Sequence, residues 1–149
     1  MAFIELDIAE MIQTLDKLQQ ETPAKWGTLS AQGMVEHLCD GLKMASGKLK
    51  FPLEIAPEKI EKMQAFLASD KPMAKNIEVS FAPKNTPLRH EEIELAIDEF
   101  LLEWIDFEEH FSNESVTEQH PFYGDLTFDQ WCQLHAKHFT HHFEQFGLI

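Results

Sequence analysis

The stretch HEEIELAIDEFLLEWIDFEEHF, residues 90–111, decides the fold class that this chain's sequence predicts. Within it Ile93, Ile97, Phe100, Leu101, Trp104, Phe107 and Phe111 form one apolar stripe. Glu92, Asp98, Glu99, Glu103, Asp106 and Glu109 mostly lie elsewhere around the axis. A strand would alternate with a period of two, whereas this pattern turns with a helical period and predicts a long amphipathic helix.

The same period recurs on both sides. Residues 5–20 follow Ile4 with Ile8, Met11, Ile12, Leu15 and Leu18 at helical spacing, until Thr22-Pro23 stops the run. Ser30 is a good N-cap for a second helix, which reaches about Gly47 with Met34, Leu38, Gly41, Leu42 and Ala45 on one stripe. Pro57 suits the first turn of a short helix over residues 57–67. Residues 69–88 hold Pro72, Pro83 and Pro87 and read as a crossover loop. Residues 112–126 read as a turn-rich connection, and the last helix runs from an N-cap at Thr127 to Gly147, a usual stop residue. Strand signal is nearly absent; only residues 77–81 alternate, over a run short enough for an extended segment. The expectation is therefore all-α: a four-helix bundle with a long crossover containing a short extra helix, in a single domain over residues 1–149.

Composition narrows the partners. The 149 residues include 12 Phe and 3 Trp, enough bulk for a packed core. Acidic residues outnumber basic ones 26 to 12, for a formal net charge of −14. Such a surface repels phosphate backbones and anionic lipid, so neither nucleic acid nor membrane is an expected partner. Two cysteines, Cys39 and Cys132, make no disulfide framework. The opening MAFIELDIAEM has acidic residues where a signal peptide carries Lys or Arg, and no apolar run spans a bilayer, so a cytoplasmic location is expected.

Histidine is the unusual residue: there are 8, four of them from His135 to His142. Counting about 100° per residue from Phe128, His142 falls near −40° and His138 near −80°, on one flank of the buried face, while His141 turns toward solvent. The i and i+4 spacing stacks His138 and His142 one turn apart, so both can offer a nitrogen to one ion. His37 is the best third donor, on the Met34–Leu38–Gly41 flank of the second helix, with Gly41 leaving volume beside it. Three imidazoles suit Zn, Ni, Cu or Fe rather than Mg or Ca and leave coordination positions open; Zn or Ni is the divalent transition metal expected. His135, near −20°, is a rival, and Cys132 with His135 makes a CxxH pair that converges poorly with His138. HExxH, Glu-x-x-His, GxSxG, P-loop and GxGxxG motifs are all absent. A histidine pair on a helix is also often merely packed.

Two stretches carry a resemblance. WGTLSAQGMVEHL, residues 26–38, resembles the Trp-containing turn and following Gln-Met-His-Leu helix of the DinB/YfiT-like superfamily. HPFYGDLT, residues 120–127, Trp131 and then HFTHHFEQFG, residues 138–147, resemble that superfamily's HPxFG turn and terminal H-x-x-H-H-x-x-Q-F-G. The resemblance implies a four-helix bundle whose metal ligands fall on His37, His138 and His142. It implies a metal-dependent transferase using a low-molecular-weight thiol such as bacillithiol or mycothiol, or a hydrolase, in either case with a small-molecule substrate. His135 departs from the pattern. The alternative is a non-catalytic metal or small-molecule binding module of a stress response; the bland reading is a helical domain with histidines as core filler. A homodimer through apolar helix faces is compatible with each.

Overall fold

Three of the helix starts are set by capping chemistry that the sequence supplies locally, at Asp7, Ser30 and Thr127. The structure, a computed structural model, describes residues 2–83, 86–112 and 116–149. Helix α1, Ile8–Leu15, begins where Asp7 accepts a hydrogen bond from the Glu10 backbone N–H, so it starts later than the apolar spacing predicts. It also ends early, at Asp16, because the chain enters turns in which the Leu18 and Thr22 amides bond Leu15 and Gln19. Helix α2, Ala31–Ala45, is capped by Ser30, whose hydroxyl accepts from the Gly33 N–H at 3.0 Å. A 3-10 turn, Pro57–Lys59, leads into α3, Ile60–Ala68. Helix α4, Ile93–His110, lacks a side-chain cap of its own; Gln20 reaches across to accept from the Ile93 N–H. Helix α5, Phe128–Gln145, opens on a capping box of Thr127 and Gln130. It closes at Gly147, whose φ of +69° lets the Gly147 and Leu148 amides bond the carbonyls of Glu144 and Phe143.

The all-α four-helix bundle is overturned. The described residues form five α-helices and a two-stranded antiparallel sheet, so the class is mixed. The strands are β1, Glu118–His120, and β2, Gly124–Leu126, paired with Glu118 opposite Leu126 and His120 opposite Gly124. Each has only three residues, too few for a period-two pattern to register in the sequence. What closes the hairpin is Gly124 at φ +71°; a Cβ there would also meet the Ile60 side chain at 3.1 Å. Of the expected 77–81 extended segment, only an isolated bridge from Val79 to Ala82 forms. Residues 84–85 of the expected crossover and 113–115 of the expected connection lie outside the described residues.

Helix α2 packs chiefly along α4, while α5 packs against α3 and α2, and α1 against α4. Phe100 and Phe107 of α4 meet Phe139 and His135 of α5 at the centre, with Met34, Leu38 and Leu42 of α2 fully buried beside them. Leu101 departs from the expected stripe and is 36% exposed, because its position next to Phe100 turns it to the rim. The hairpin is tied to α5 by the Trp131 indole N–H, which donates to the Glu118 carbonyl at 3.2 Å. Lys137 anchors the segment after α3 through its ammonium, which donates to the Ser69 and Lys71 carbonyls. No described helix is long and apolar enough to cross a membrane.

Candidate metal centre

His37 sits in the second turn of α2, and His138 and His142 lie one turn apart on α5, so the α2–α5 packing alone determines whether they meet. They do. His37 Nε2 lies 2.8 Å from His138 Nε2, and His142 Nε2 lies 3.1 Å from the same atom. The ring centroids of His37 and His142 are 4.9 Å apart. Among the described residues this is the one group of three or more His, Cys, Asp or Glu whose donor atoms all lie within 4.8 Å of one another.

Proton placement explains why these contacts ask for a cation. Gln145 donates through Nε2 to the Trp26 carbonyl at 2.9 Å, which turns its Oε1 toward His142 Nδ1 at 2.7 Å. His142 therefore carries its proton on Nδ1 and presents a lone pair at Nε2. If His138 Nε2 carries a proton, that one N–H can align with only one of its two close neighbours. If it carries none, it faces the His142 lone pair directly. One of the two contacts is left without a good hydrogen bond in every neutral arrangement, and a shared cation relieves that repulsion. Gln145 fixes the tautomer of His142 as the outer partner of a metal-binding imidazole would.

Electrostatics agree with the donor role. Burial, reinforced by the charge His141 would carry, pushes His37 down to about 4. Burial and then the neighbouring His37 push His142 down to about 3, with the Gln145 hydrogen bond opposing. Burial and the surrounding histidines hold His138 well below the ordinary imidazole range. All three rings are thus neutral near pH 7, the form that binds metal. Zn–N bonds of about 2.0–2.1 Å place two nitrogens on one tetrahedral ion roughly 3.3 Å apart, close to the observed separations. The donor set fits Zn, Ni, Cu or Fe and is a poor match for Mg or Ca, which prefer oxygen.

The three histidines line a cavity of about 1040 Å³. Its wall carries Met44, Phe51, Phe66, Phe81 and Phe122. Met34 and Trp104 are sealed in the core. Gly41 faces His138: a Cβ there would stand 3.7 Å from His138 Nδ1, an ordinary contact, so the space it leaves is modest. The carboxylates flanking His37 have different fates. Burial disfavours the Glu36 carboxylate, but hydrogen bonds from Gln32 and the Arg89 and His90 amides outweigh that and hold it below its usual range. Asp40 lines the cavity and pairs with Arg89 at 2.9 Å; burial holds its carboxyl above the usual range despite that partner.

His135 stays out of the metal group. Its ring stacks on Phe139 at 5.2 Å and meets Phe107 at 4.8 Å, so it faces α4 where His138 and His142 face α2. Its Nε2 is buried with no hydrogen-bond partner among the described residues. Cys132 also stays out of the metal group, and burial raises its thiol to about 12, which suits an inert core cysteine better than a nucleophile. His141, expected toward solvent, is half-buried, lines the cavity and sits edge-on to Trp26 at 5.6 Å. Sequence reasoning gave no role to Gln145 or His120. Gln145 stands at i+3 from His142, a spacing that could have flagged it. His120 borders the cavity from the end of β1, and its Nδ1 accepts from the Phe122 N–H at 3.0 Å. No local signal marks that placement, which depends on the hairpin.

Residues 3–147 match the protein family described as "Protein of unknown function (DUF1569)". No curated protein and no solved structure matches the chain.

Proposed function

The chain belongs to the DUF1569 family, and from its three-histidine centre we propose that it is a metal-dependent enzyme acting on a small molecule. The reaction class is transfer of a low-molecular-weight thiol or hydrolysis. The observation that carries this reading is the convergence of the His37, His138 and His142 Nε2 atoms at the wall of a large, largely apolar cavity. His37, His138 and His142 would hold a Zn or Ni ion. When bound, that ion supplies a Lewis acid that makes a thiol or a water more acidic.

The chain's own residues do the rest. Gln145 keeps the His142 proton on Nδ1, so its Nε2 is always a donor lone pair. Burial keeps the three rings neutral and resistant to protonation. The aromatic wall excludes water and takes the apolar body of a substrate. Proton handling in this reading falls to Asp40, because Glu36 is consumed by three hydrogen bonds. The resemblance to DinB/YfiT-like proteins is what points to thiols. Cytoplasmic residence, with Cys39 and Cys132 as free thiols, belongs to the same proposal.

The test is elemental analysis of the purified full chain beside His138→Ala. The wild type is expected to carry close to one transition-metal ion per chain, and the variant less than about a tenth of that, since two imidazoles rarely hold an ion tightly. Equal metal in both, or none in a wild type produced with zinc and nickel supplied, would sink the reading. Metal-dependent transfer of a thiol to a model electrophile then separates an enzyme from a binding module without turnover.

A further inference from the structure

The wall that α3 and the segment after it give the cavity is sorted by charge. Residues 60–83 hold three acidic residues and three lysines. Lys62 and Lys71 line the cavity, whereas Glu61, Asp70 and Glu78 do not, although two of these acids are their chain neighbours. Lys62 stands on the face of α3 that borders the cavity, with Phe66 one turn on. Lys71 is held at the far end of that face. Its carbonyl and that of Ser69 accept from the buried Lys137 ammonium, which also lies 4.6 Å from the centre of the Phe66 ring. Both lining lysines are exposed. The third, Lys75, sits 4.0 Å over the ring of Trp26, another lining residue.

The carboxylates of the cavity are already met. Glu36 accepts from Gln32 and from the Arg89 and His90 amides, and Asp40 pairs with Arg89. Lys43 and Lys48, away from the cavity, are matched with Glu99 and Glu103. Lys62 and Lys71 differ from these: neither ammonium has an ion-pair or hydrogen-bond partner among the described residues.

We propose that Lys62 and Lys71 form an anion-recognising rim, and that the small molecule entering the cavity carries a carboxylate on an apolar body. This rests on the reading of the cavity as a small-molecule site. The carboxylate stays at the exposed rim, hydrated and facing the lysines, so its charge is never buried. The apolar body enters among Phe66, Phe81 and Phe122, in the same cavity that the three histidines line. The chain as a whole, at −14, repels anions. At physiological salt a charge acts over only about 8 Å, so the groups bordering the mouth outweigh the distant acidic surface. A cation is a worse fit, because both lining carboxylates already have donors. No guanidinium stands on this wall to take a phosphate through two parallel bonds.

The experiment uses 4-phenylbutyrate and 4-phenylbutan-1-ol, alike in shape and differing in charge. Dissociation constants for the full chain are read from tryptophan fluorescence, since Trp26 and Trp131 line the cavity. At low salt the wild type is expected to bind the carboxylate about threefold tighter than the alcohol, or better. That preference should vanish in about 1 M salt, where charges act over about 3 Å. Lys62→Gln and Lys71→Gln should each weaken carboxylate binding roughly two- to fivefold, the worth of one exposed charge pair, and leave the alcohol unaffected. Lys59→Gln removes the same charge from a residue off the cavity and should change neither. All three are exposed side chains, so the fold tolerates the exchange. A wild type that prefers the alcohol at low salt would overturn the proposal. So would a carboxylate preference that neither lining variant moves, as for an anion caught on the metal, or one that Lys59→Gln moves equally, or binding of neither probe. Metal content is measured on the same samples. A wild type lacking metal counts against the metal reading alone, and a full metal load with an unmoved probe preference counts against the rim alone.

Discussion

His135 and His142 stand on the same helix, and burial holds both near a pKa of about 3. Their nitrogens are treated differently. His142 has Gln145 on Nδ1 and His138 opposite Nε2, while His135 Nε2 has no protein partner among the described residues. Burial and a depressed pKa are therefore shared by a candidate metal ligand and by a histidine walled in by Phe107 and Phe139. What separates them is convergence: which other donors a neighbouring helix brings to the same point.

The largest expected effect tests that contrast through pH. For His135 the folded-state pKa of about 3 lies below its ordinary 6.5. Between those values the unfolded chain binds more protons than the folded one, so stability is full above about pH 6.5 and falls as pH drops toward 3. His135→Phe removes both this proton-linked loss and the unsatisfied nitrogen. In metal-free protein it should stabilise by about 1 kcal/mol at pH 7, and by about 2 kcal/mol more at pH 5, read from urea unfolding midpoints. A gain that does not grow on acidification would mean that His135 is not held neutral by burial.

The next effect belongs to the other side of the comparison. Gln145→Leu leaves the three candidate ligands in place but frees the His142 tautomer, and should weaken metal affinity about 10- to 100-fold in chelator competition. Affinity within twofold of wild type would show that Gln145 only packs. Gly124→Ala puts a side chain at φ +71° and 3.1 Å from Ile60, on the hairpin that carries His120. It should lower stability by about 1–2 kcal/mol in thermal unfolding, with metal content unchanged, because the hairpin holds none of the three candidate ligands. The smallest effect is expected of Gly41→Ala. Its Cβ meets His138 at an ordinary 3.7 Å in mid-helix, so metal should be retained within about twofold, with stability raised by up to about 1 kcal/mol. Loss of metal there would mean that the ring of His138 needs more room than the structure gives it.

Much of this arrangement was legible in the residues, and the reasons it was not complete are specific. Periodicity located the helical segments because an apolar stripe repeats over many turns, as it does from Ile93 to Phe111. It overextended α1, where Asp7 and the turns after Leu15 outrank spacing, and it gave no sign of β1 and β2, whose three residues each are shorter than any pattern. The all-α class failed for that reason.

Sequence alone determined the angular position of each histidine about its own helix axis, and so put His138 with His142 on one flank and chose His37 as their companion. An angle about one axis does not say which neighbour that flank faces. The packing of α5 against both α2 and α4 decided that the flank of His138 and His142 meets α2, while His135, only a few tens of degrees away, meets the aromatic side chains of α4. Packing also brought His120 in from the hairpin and enclosed the cavity, since both depend on elements far apart in the chain meeting at fixed distances that no local pattern encodes.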